Sequence, residues 1–202
     1  MSEPVLLASR NPDKLAELRR ILAPLVDVEV LGLDDVEAFD EVAETGATFE
    51  ENALIKGRDA FAHTGLLAVA DDSGLTVDAL NGMPGVLSAR WAGVARDDAA
   101  NVRLVLEQLA DVPDERLGAA FVCSVALVGP AGERCVQGRM PGRLVREPRG
   151  ANGFGYDPIF VPDGYHLTSA ELDSSTKDSI SHRGRSLRKL APILSEVLAA
   201  SR

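Results

Sequence analysis

The feature that most constrains this chain is an apolar run that meets two adjacent carboxylates: Leu66-Leu67-Ala68-Val69-Ala70, then Asp71-Asp72-Ser73-Gly74. A continuous apolar run of this length fits a central strand covered on both faces. In open α/β sheets, ligands gather at the carboxyl ends of such strands. The sequence therefore predicts a strand that stops at Ala70 and carries Asp71 and Asp72 at its tip. Two like charges held together there repel unless a cation stands between them, and hard divalent cations take carboxylate oxygens. A solvated turn is the competing reading, because Asp, Ser and Gly are all turn residues.

Composition narrows the partners. The 202 residues are enough for a substantial core in one domain, residues 1–202, or in two small lobes. Lys and Arg number 21 against 31 Asp and Glu, a net charge of −10, which argues against a broad grip on nucleic acid and requires any phosphate site to be local. Cys123 and Cys135 lack metal-ligand spacing and form no disulfide framework, in keeping with a reducing compartment. Cys123 alternates with Phe121 and Val125 and reads as a core thiol. No basic-then-apolar leader precedes Val5, and no apolar run approaches the roughly 18 residues of a membrane span. A soluble, cytoplasmic protein that binds no membrane is expected.

The order of elements reads as mixed α/β. A strand over Pro4–Ala8 leads through Ser9-Arg10-Asn11 into a helix over Pro12–Leu22, with Asn11 as N-cap and Pro12 in the first helical position. A short strand near Val28–Leu31 and an acidic loop over Asp34–Glu44 precede a capping box, Thr48 with Glu51, that opens a helix reaching about His63. A further helix is predicted over Asp98–Leu109. Alternation at Phe121, Cys123, Val125 and Leu127, a turn at Gly129–Gly132 and a second run at Arg134–Val136 predict a hairpin. A glycine-rich stretch over Gly150–Asp157 leads into a short strand over Pro158–Val161. The last helix spans Ser181–Ala199, with a kink or break expected at Pro192.

Three further clusters carry chemistry. Lys14 falls in the first turn of a helix, where the dipole disfavours a cation by a few tenths of a kcal/mol up to about 1. An anion arriving there reverses that preference, and free N–H groups at a helix start attract phosphate, with Ser9 and Asn11 adding polar contacts. The alternative is a surface lysine balanced by Asp13 and Glu17. The helix after the capping box contributes Glu50, Glu51, Asn52 and Lys56, most of them expected to be solvated, with Lys56 reaching toward the strand end. Glu44 is a candidate third oxygen donor beside Asp71 and Asp72. In Gly153-Phe154-Gly155-Tyr156-Asp157, glycines permit close approach and two aromatics offer faces for a base, each stacked base being worth about 1–3 kcal/mol. Lys177 and the Ser181-His182-Arg183-Gly184-Arg185 run place cations nearby in sequence. Carboxylates for a metal, lysines for phosphates and an aromatic glycine loop describe a nucleoside triphosphate site. No Gly-x-x-x-x-Gly-Lys-Ser/Thr loop and no Gly-x-Gly-x-x-Gly after the first strand is present.

The blocks Ala8–Lys14, Glu44–Ala53, Ala70–Leu75, Pro84–Arg90, Gly153–Pro158 and Ser179–Gly184 together resemble the Ham1 family of inosine triphosphate pyrophosphatases. They follow in this order over nearly the whole chain. The resemblance implies an elongated mixed β-sheet flanked by helices, in two lobes with an active-site cleft between them. It implies Mg2+-dependent hydrolysis of inosine, deoxyinosine and xanthosine triphosphates to monophosphate and pyrophosphate, and a homodimer. By position, Ser9, Asn11 and Lys14 match the triphosphate-binding block, Glu44 and Asp72 the metal-binding carboxylates, and Asp72 also the general base. Lys56 matches a lysine facing the phosphates. Ser73, Phe154, Gly155, Tyr156, Asp157, Lys177, His182 and Arg183 match substrate-binding positions. Arg10 stands where many members carry glycine, and leaves its neighbours Ser9 and Asn11 in place.

Two rivals remain at this stage. A non-catalytic nucleotide sensor would use the same lysines and aromatic loop without needing both carboxylates. A phosphatase of the aspartyl-phosphate type would need Asp-x-Asp after the first strand, where Ser9-Arg10-Asn11 stands.

Overall fold

A computed structural model describes residues 4–40, 42–93 and 96–200. Its strands are β1 (Val5–Leu7), β2 (Val30–Leu31), β3 (Leu67–Val77), β4 (Gly118–Gly129), β5 (Gly132–Leu144) and β6 (Phe160–Pro162). Its helices are α1 (Pro12–Leu22), α2 (Phe49–Thr64), α3 (Asp98–Gln108), α4 (Ser174–Ile180) and α5 (His182–Ala200). The strands form one mixed sheet in the order β2-β1-β3-β4-β5-β6. β1 pairs in parallel with β2 and with β3, Val5 lying opposite Val30 and Leu67, whereas β5 and β6 are antiparallel. Among the described residues no helix is long and apolar enough to cross a membrane.

Local chemistry accounts for the helix starts. Asn11 caps α1 by accepting hydrogen bonds from the Asp13 and Lys14 N–H groups at 2.9 and 3.2 Å. Thr48 and Glu51 form the expected reciprocal box at the start of α2, which ends on left-handed Gly65. The predicted helix boundaries for α1, α2 and α3 hold to within a residue. The predicted hairpin is present as β4 and β5, joined by Pro130-Ala131.

Two expectations fail. β3 does not stop at Ala70 but continues through Asp71-Asp72-Ser73-Gly74 to Val77, so the carboxylates sit inside a strand. The turn propensity of these residues is overridden by strand pairing and by burial, Asp71 and Asp72 being only 1% and 6% exposed. Nor does Pro192 break the last helix, which is continuous from His182 to Ala200. Pro192 faces solvent, while buried Leu187, Leu190, Leu194 and Leu198 hold the helix on its other side. The short helix α4 had no sequence signal in the reading above.

The chain divides into two compact units. The first comprises residues 1–72, 123–138 and 183–202, and the second 73–122 and 139–182. In the first, Leu67 and Val69 of β3 pack with Leu18, Ile21 and Leu22 of α1 and Leu187, Leu190 and Leu194 of α5. The alternate residues Ala68 and Ala70 pack instead with Leu6, Ala8 and Ala60 of α2. Burying Cys123 with Val125 and Leu127 confirms it as a core thiol, and burial followed by the nearby Asp71 charge pushes its pKa up to about 12. In the second unit, Leu75 and Val77 share a core with Val102, Val105, Phe121, Tyr156, Ile159 and Phe160. Trp91 packs at its margin and donates from Nε1 to Gln108 at 2.9 Å.

Gly74 lies where another segment presses on the strand. The Ser88 hydroxyl accepts from the Leu75 N–H at 2.9 Å and donates to the Gly85 carbonyl at 2.6 Å, directly against the Gly74 Cα. An added Cβ would run into the Ser88 hydroxyl and come within 2.6 Å of the Gly85 oxygen. Gly74→Ala is therefore expected to destabilise the protein by about 1–3 kcal/mol, measured as a lowered urea midpoint with unchanged m.

Candidate active site

In a strand, neighbouring side chains point to opposite faces. Asp71 therefore follows Leu67 and Val69 toward α1 and α5, whereas Asp72 follows Ala68 and Ala70 toward α2. Each carboxylate meets the cations of its own face. Asp71 Oδ2 lies 3.0 Å from Lys14 Nζ in the first turn of α1 and 3.4 Å from Arg183 Nη2 in the first turn of α5. Both cations occupy helix starts that the dipole disfavours, and the buried carboxylate offsets that. Arg183 Nη1 also donates to Glu17, and Lys14 is paired with the buried Asp71 rather than standing as the surface lysine of the competing reading. Burial pushes the Asp71 carboxyl up, but Lys14, Arg183 and Lys56 outweigh it and hold the group well below the usual carboxylate range. Burial pushes the Arg183 guanidinium down, but the negative charges beside it, Asp71 first and also Glu17, outweigh that and hold it above its ordinary value.

On the other face, Lys56 Nζ sits 2.7 Å from Glu44 Oε1 and 3.4 Å from Asp72 Oδ1. Asp72 Oδ2 accepts from Asn52 Nδ2 at 3.1 Å. Burial raises the Asp72 pKa, Lys56 opposes this, Glu44 adds to it, and the net shift is upward. Lys56 is held above its ordinary value because Asp72, Asp71 and Glu44 outweigh its own burial. The structure thus brings Glu44, Lys56 and Asp72 together as expected, and separates Asp71 from them. Among the described residues, no group of three or more His, Cys, Asp or Glu side chains is arranged to hold a metal. Glu44 and Asp72 nonetheless point at one cationic position, now taken by the Lys56 ammonium. That donor set fits Mg2+, which characteristically uses one or two carboxylates and takes its remaining oxygens from substrate phosphates and water.

The residues expected to bind phosphate lie at the start of α1. The Ser9 hydroxyl accepts from the Asn11 N–H at 3.3 Å, and Asn11 spends its side-chain oxygen on the helix cap. Arg10 turns away, its Nη2 donating to the Phe39 carbonyl at 2.5 Å.

Of the base-side candidates, Phe154, Asp157, Lys177 and His182 lie in the second unit and Arg183 in the first. Lys177 Nζ pairs with Asp157 Oδ2 at 2.6 Å and stands 5.4 Å from the centre of the half-buried Phe154 ring. The same Asp157 oxygen accepts from the Phe154 N–H at 3.0 Å, and the Gly155 N–H donates to Asp98 at 2.7 Å. His182 stacks on Phe121 with centroids 4.9 Å apart. Ser73 lies partly buried on β3. Tyr156 corrects the expectation of two stacking aromatics: its ring is in the core, and its hydroxyl donates to the Ser88 carbonyl at 2.8 Å. Burial, with Asp98 nearby, raises its pKa. Phe154 alone of the two offers an accessible face.

A match to the Ham1 family covers residues 5–193. The chain belongs to the Ham1 family. A dITP/XTP pyrophosphatase of Nocardia farcinica is 64% identical over 193 residues, covering 94% of each chain. A crystal structure described as a nucleoside-triphosphatase or dITP/XTP pyrophosphatase from Mycobacterium abscessus superposes with a TM-score of 0.77 at 61% identity, covering 94% of this chain and 99% of that one. A Ham1 protein from Coxiella burnetii gives a TM-score of 0.87 at 44% identity over 96% and 99% of the two chains. This Ham1 member therefore has the mixed α/β fold that its sequence blocks implied.

Sequence reading missed Glu17 as the partner of Arg183 and did not single out Asn52 from a set expected to be mostly solvated, although Asn52 is fully buried. A signal existed for the second: Asn52 falls in the stripe Phe49, Asn52, Ala53, Gly57, Ala60 that α2 buries.

Asp71 gives a pH signature. Its folded pKa lies below the ordinary 3.8, so its stabilisation is fully present above that value and is lost as pH falls through the folded pKa. Asp71→Asn, which leaves Lys14 and Arg183 poorly compensated, is expected to cost about 3–5 kcal/mol at neutral pH. The difference from wild type should shrink as denaturation is repeated at progressively more acidic pH.

Proposed function

We propose that this chain hydrolyses the triphosphates of inosine, deoxyinosine and xanthosine to the nucleoside monophosphate and pyrophosphate, removing deaminated, non-standard purines from the nucleotide pool. The observation that carries this reading is the convergence of Glu44 and Asp72, from separate segments, on the Lys56 ammonium. Membership of the Ham1 family and the names of its close relatives point to the same chemistry. In this reading Glu44 and Asp72 hold Mg2+, which when bound neutralises charge on the phosphate oxygens. Lys14 and Lys56 supply positive charge to the triphosphate, with Ser9, Asn11 and Ser73 adding hydrogen bonds. Asp72, whose proton affinity is raised, takes the proton of a water that attacks phosphorus at the α–β linkage, a new P–O bond forming as the bridging P–O bond breaks and the monophosphate and pyrophosphate separate.

For the base, Phe154 provides a stacking face, and Lys177 beside Asp157 offers a donor next to an acceptor. Hypoxanthine and xanthine present a 6-keto oxygen and an N1–H that match such a pair. Adenine presents an amino donor and a bare N1, leaving both groups mismatched. His182 and Arg183 complete the proposed base-side set, although the Arg183 side chain is already engaged by Glu17 and Asp71. The reading includes a homodimer, supported by the family resemblance, and a cytoplasmic location, supported by the free cysteines.

Incubation with deoxyinosine triphosphate and Mg2+ tests the function. Pyrophosphate release is expected; orthophosphate release would indicate a phosphatase, and binding without turnover a nucleotide sensor. Asp72→Asn should fold normally yet lose turnover by about 10²–10⁴-fold, and near-normal pyrophosphate release by that variant would remove Asp72 as the base. Phe154→Ala should raise KM by about 5–150-fold, the equivalent of about 1–3 kcal/mol of lost stacking, with kcat less affected.

A further inference from the structure

Asn52 is fully buried on α2 and makes two side-chain hydrogen bonds that run in opposite directions. Its Nδ2 donates to Asp72 Oδ2 at 3.1 Å, and its Oδ1 accepts from the Gly46 N–H at 2.8 Å. Gly46 lies two residues after Glu44. One amide therefore ties together the strand that carries one proposed metal ligand and the loop that carries the other. Resting on the metal reading above, we infer that Asn52 is the positioning residue of this site, fixing the separation and orientation of Glu44 and Asp72.

The geometry supports this in three ways. With Oδ2 of Asp72 held by the amide, Oδ1 is the oxygen left facing Lys56 and Glu44. The loop is pinned closely, because a Cβ on Gly46 would come within 2.7 Å of Asn52 Oδ1 and 3.0 Å of its backbone nitrogen. An amide suits both partners in this buried place, whereas an ionised carboxylate has no donor for Asp72 and an aliphatic side chain has neither donor nor acceptor. Partners that orient metal-binding carboxylates typically matter by about 10–100-fold in metal affinity or activity.

The test compares Asn52→Leu and Asn52→Asp with wild type, using Mn2+ binding by calorimetry, nucleotide turnover and urea denaturation. Asn52→Leu removes both bonds and should weaken Mn2+ binding by about 10–100-fold. Asn52→Asp keeps the acceptor for Gly46 and loses the donor to Asp72. Because it also sets a second carboxylate against Asp72, its urea midpoint should fall as well, and its turnover should fall by at least about 10-fold. A folded Asn52→Asp with wild-type Mn2+ affinity and wild-type kcat would overturn the inference, as would losses in both variants that merely track their loss of stability. Glu44→Gln and Asp72→Asn serve as controls. If both bind Mn2+ as wild type does, the metal reading itself fails; if both lose it while the Asn52 variants keep it, that reading stands and only the positioning role falls.

Discussion

The two-residue period of β3 is the constraint on which the site depends. Two aspartates adjacent in sequence would repel if they shared a face, but the pleat sends Asp71 toward α1 and α5 and Asp72 toward α2. Each then meets a different set of helices, already fixed by the apolar residues on either side of it. Leu67 and Val69 determine what Asp71 sees, and Ala68 and Ala70 determine what Asp72 sees. A one-residue slip of β3 would exchange the two carboxylates and bury the wrong side chains at once. The apolar register and the placement of the charges are thus one specification.

The Asp71 cluster also explains cations that local propensity opposes. Lys14 and Arg183 both stand in first turns of helices, and their common partner is a buried carboxylate contributed by a strand far away in sequence. Such a buried network is weak evidence of net stabilisation, because desolvating the charges costs much of what their attraction returns. What it does supply is a fixed relation between α1, α5 and β3 in the first unit. Cys123, within reach of the same carboxylate, is kept protonated by burial and by that charge, so it contributes packing and no nucleophile.

Much of this was legible in the sequence. Asn11 with Pro12 and Thr48 with Glu51 announced two helix starts to the residue, because caps are local chemistry. The structure brings Lys56, Glu44 and Asp72 together; the sequence suggested Lys56 and Glu44 near the strand end and matched all three to family positions, but no helix or strand period relates residues 12 or 28 positions apart. The course of β3 beyond Ala70 was illegible for a physical reason: Asp-Asp-Ser-Gly is turn-prone in isolation, and only partners on other segments, such as Ser88 on the Leu75 N–H, make it extended. Tyr156 was misread for a similar reason, since a glycine loop with two aromatics does not reveal which ring turns inward.

The two aspartates also show how one residue type acquires two chemical characters. Asp71 is surrounded by cations that outweigh its burial, so it binds a proton poorly and acts as a fixed negative charge. Asp72 meets Lys56 but also the like charge of Glu44, and there burial prevails, so its affinity for a proton rises. Neighbouring titratable groups whose environments push their pKa values apart are the usual mark of divided labour in an acid–base site. The division here follows from geometry: the face with two cations lowers its carboxylate's affinity for a proton, and the face with one cation shared between two carboxylates leaves burial to raise it. In the proposed function an incoming cation would gain more on the second face, where two carboxylates share the Lys56 ammonium, and that asymmetry is why the reading gives the metal and the proton to Asp72 rather than to Asp71.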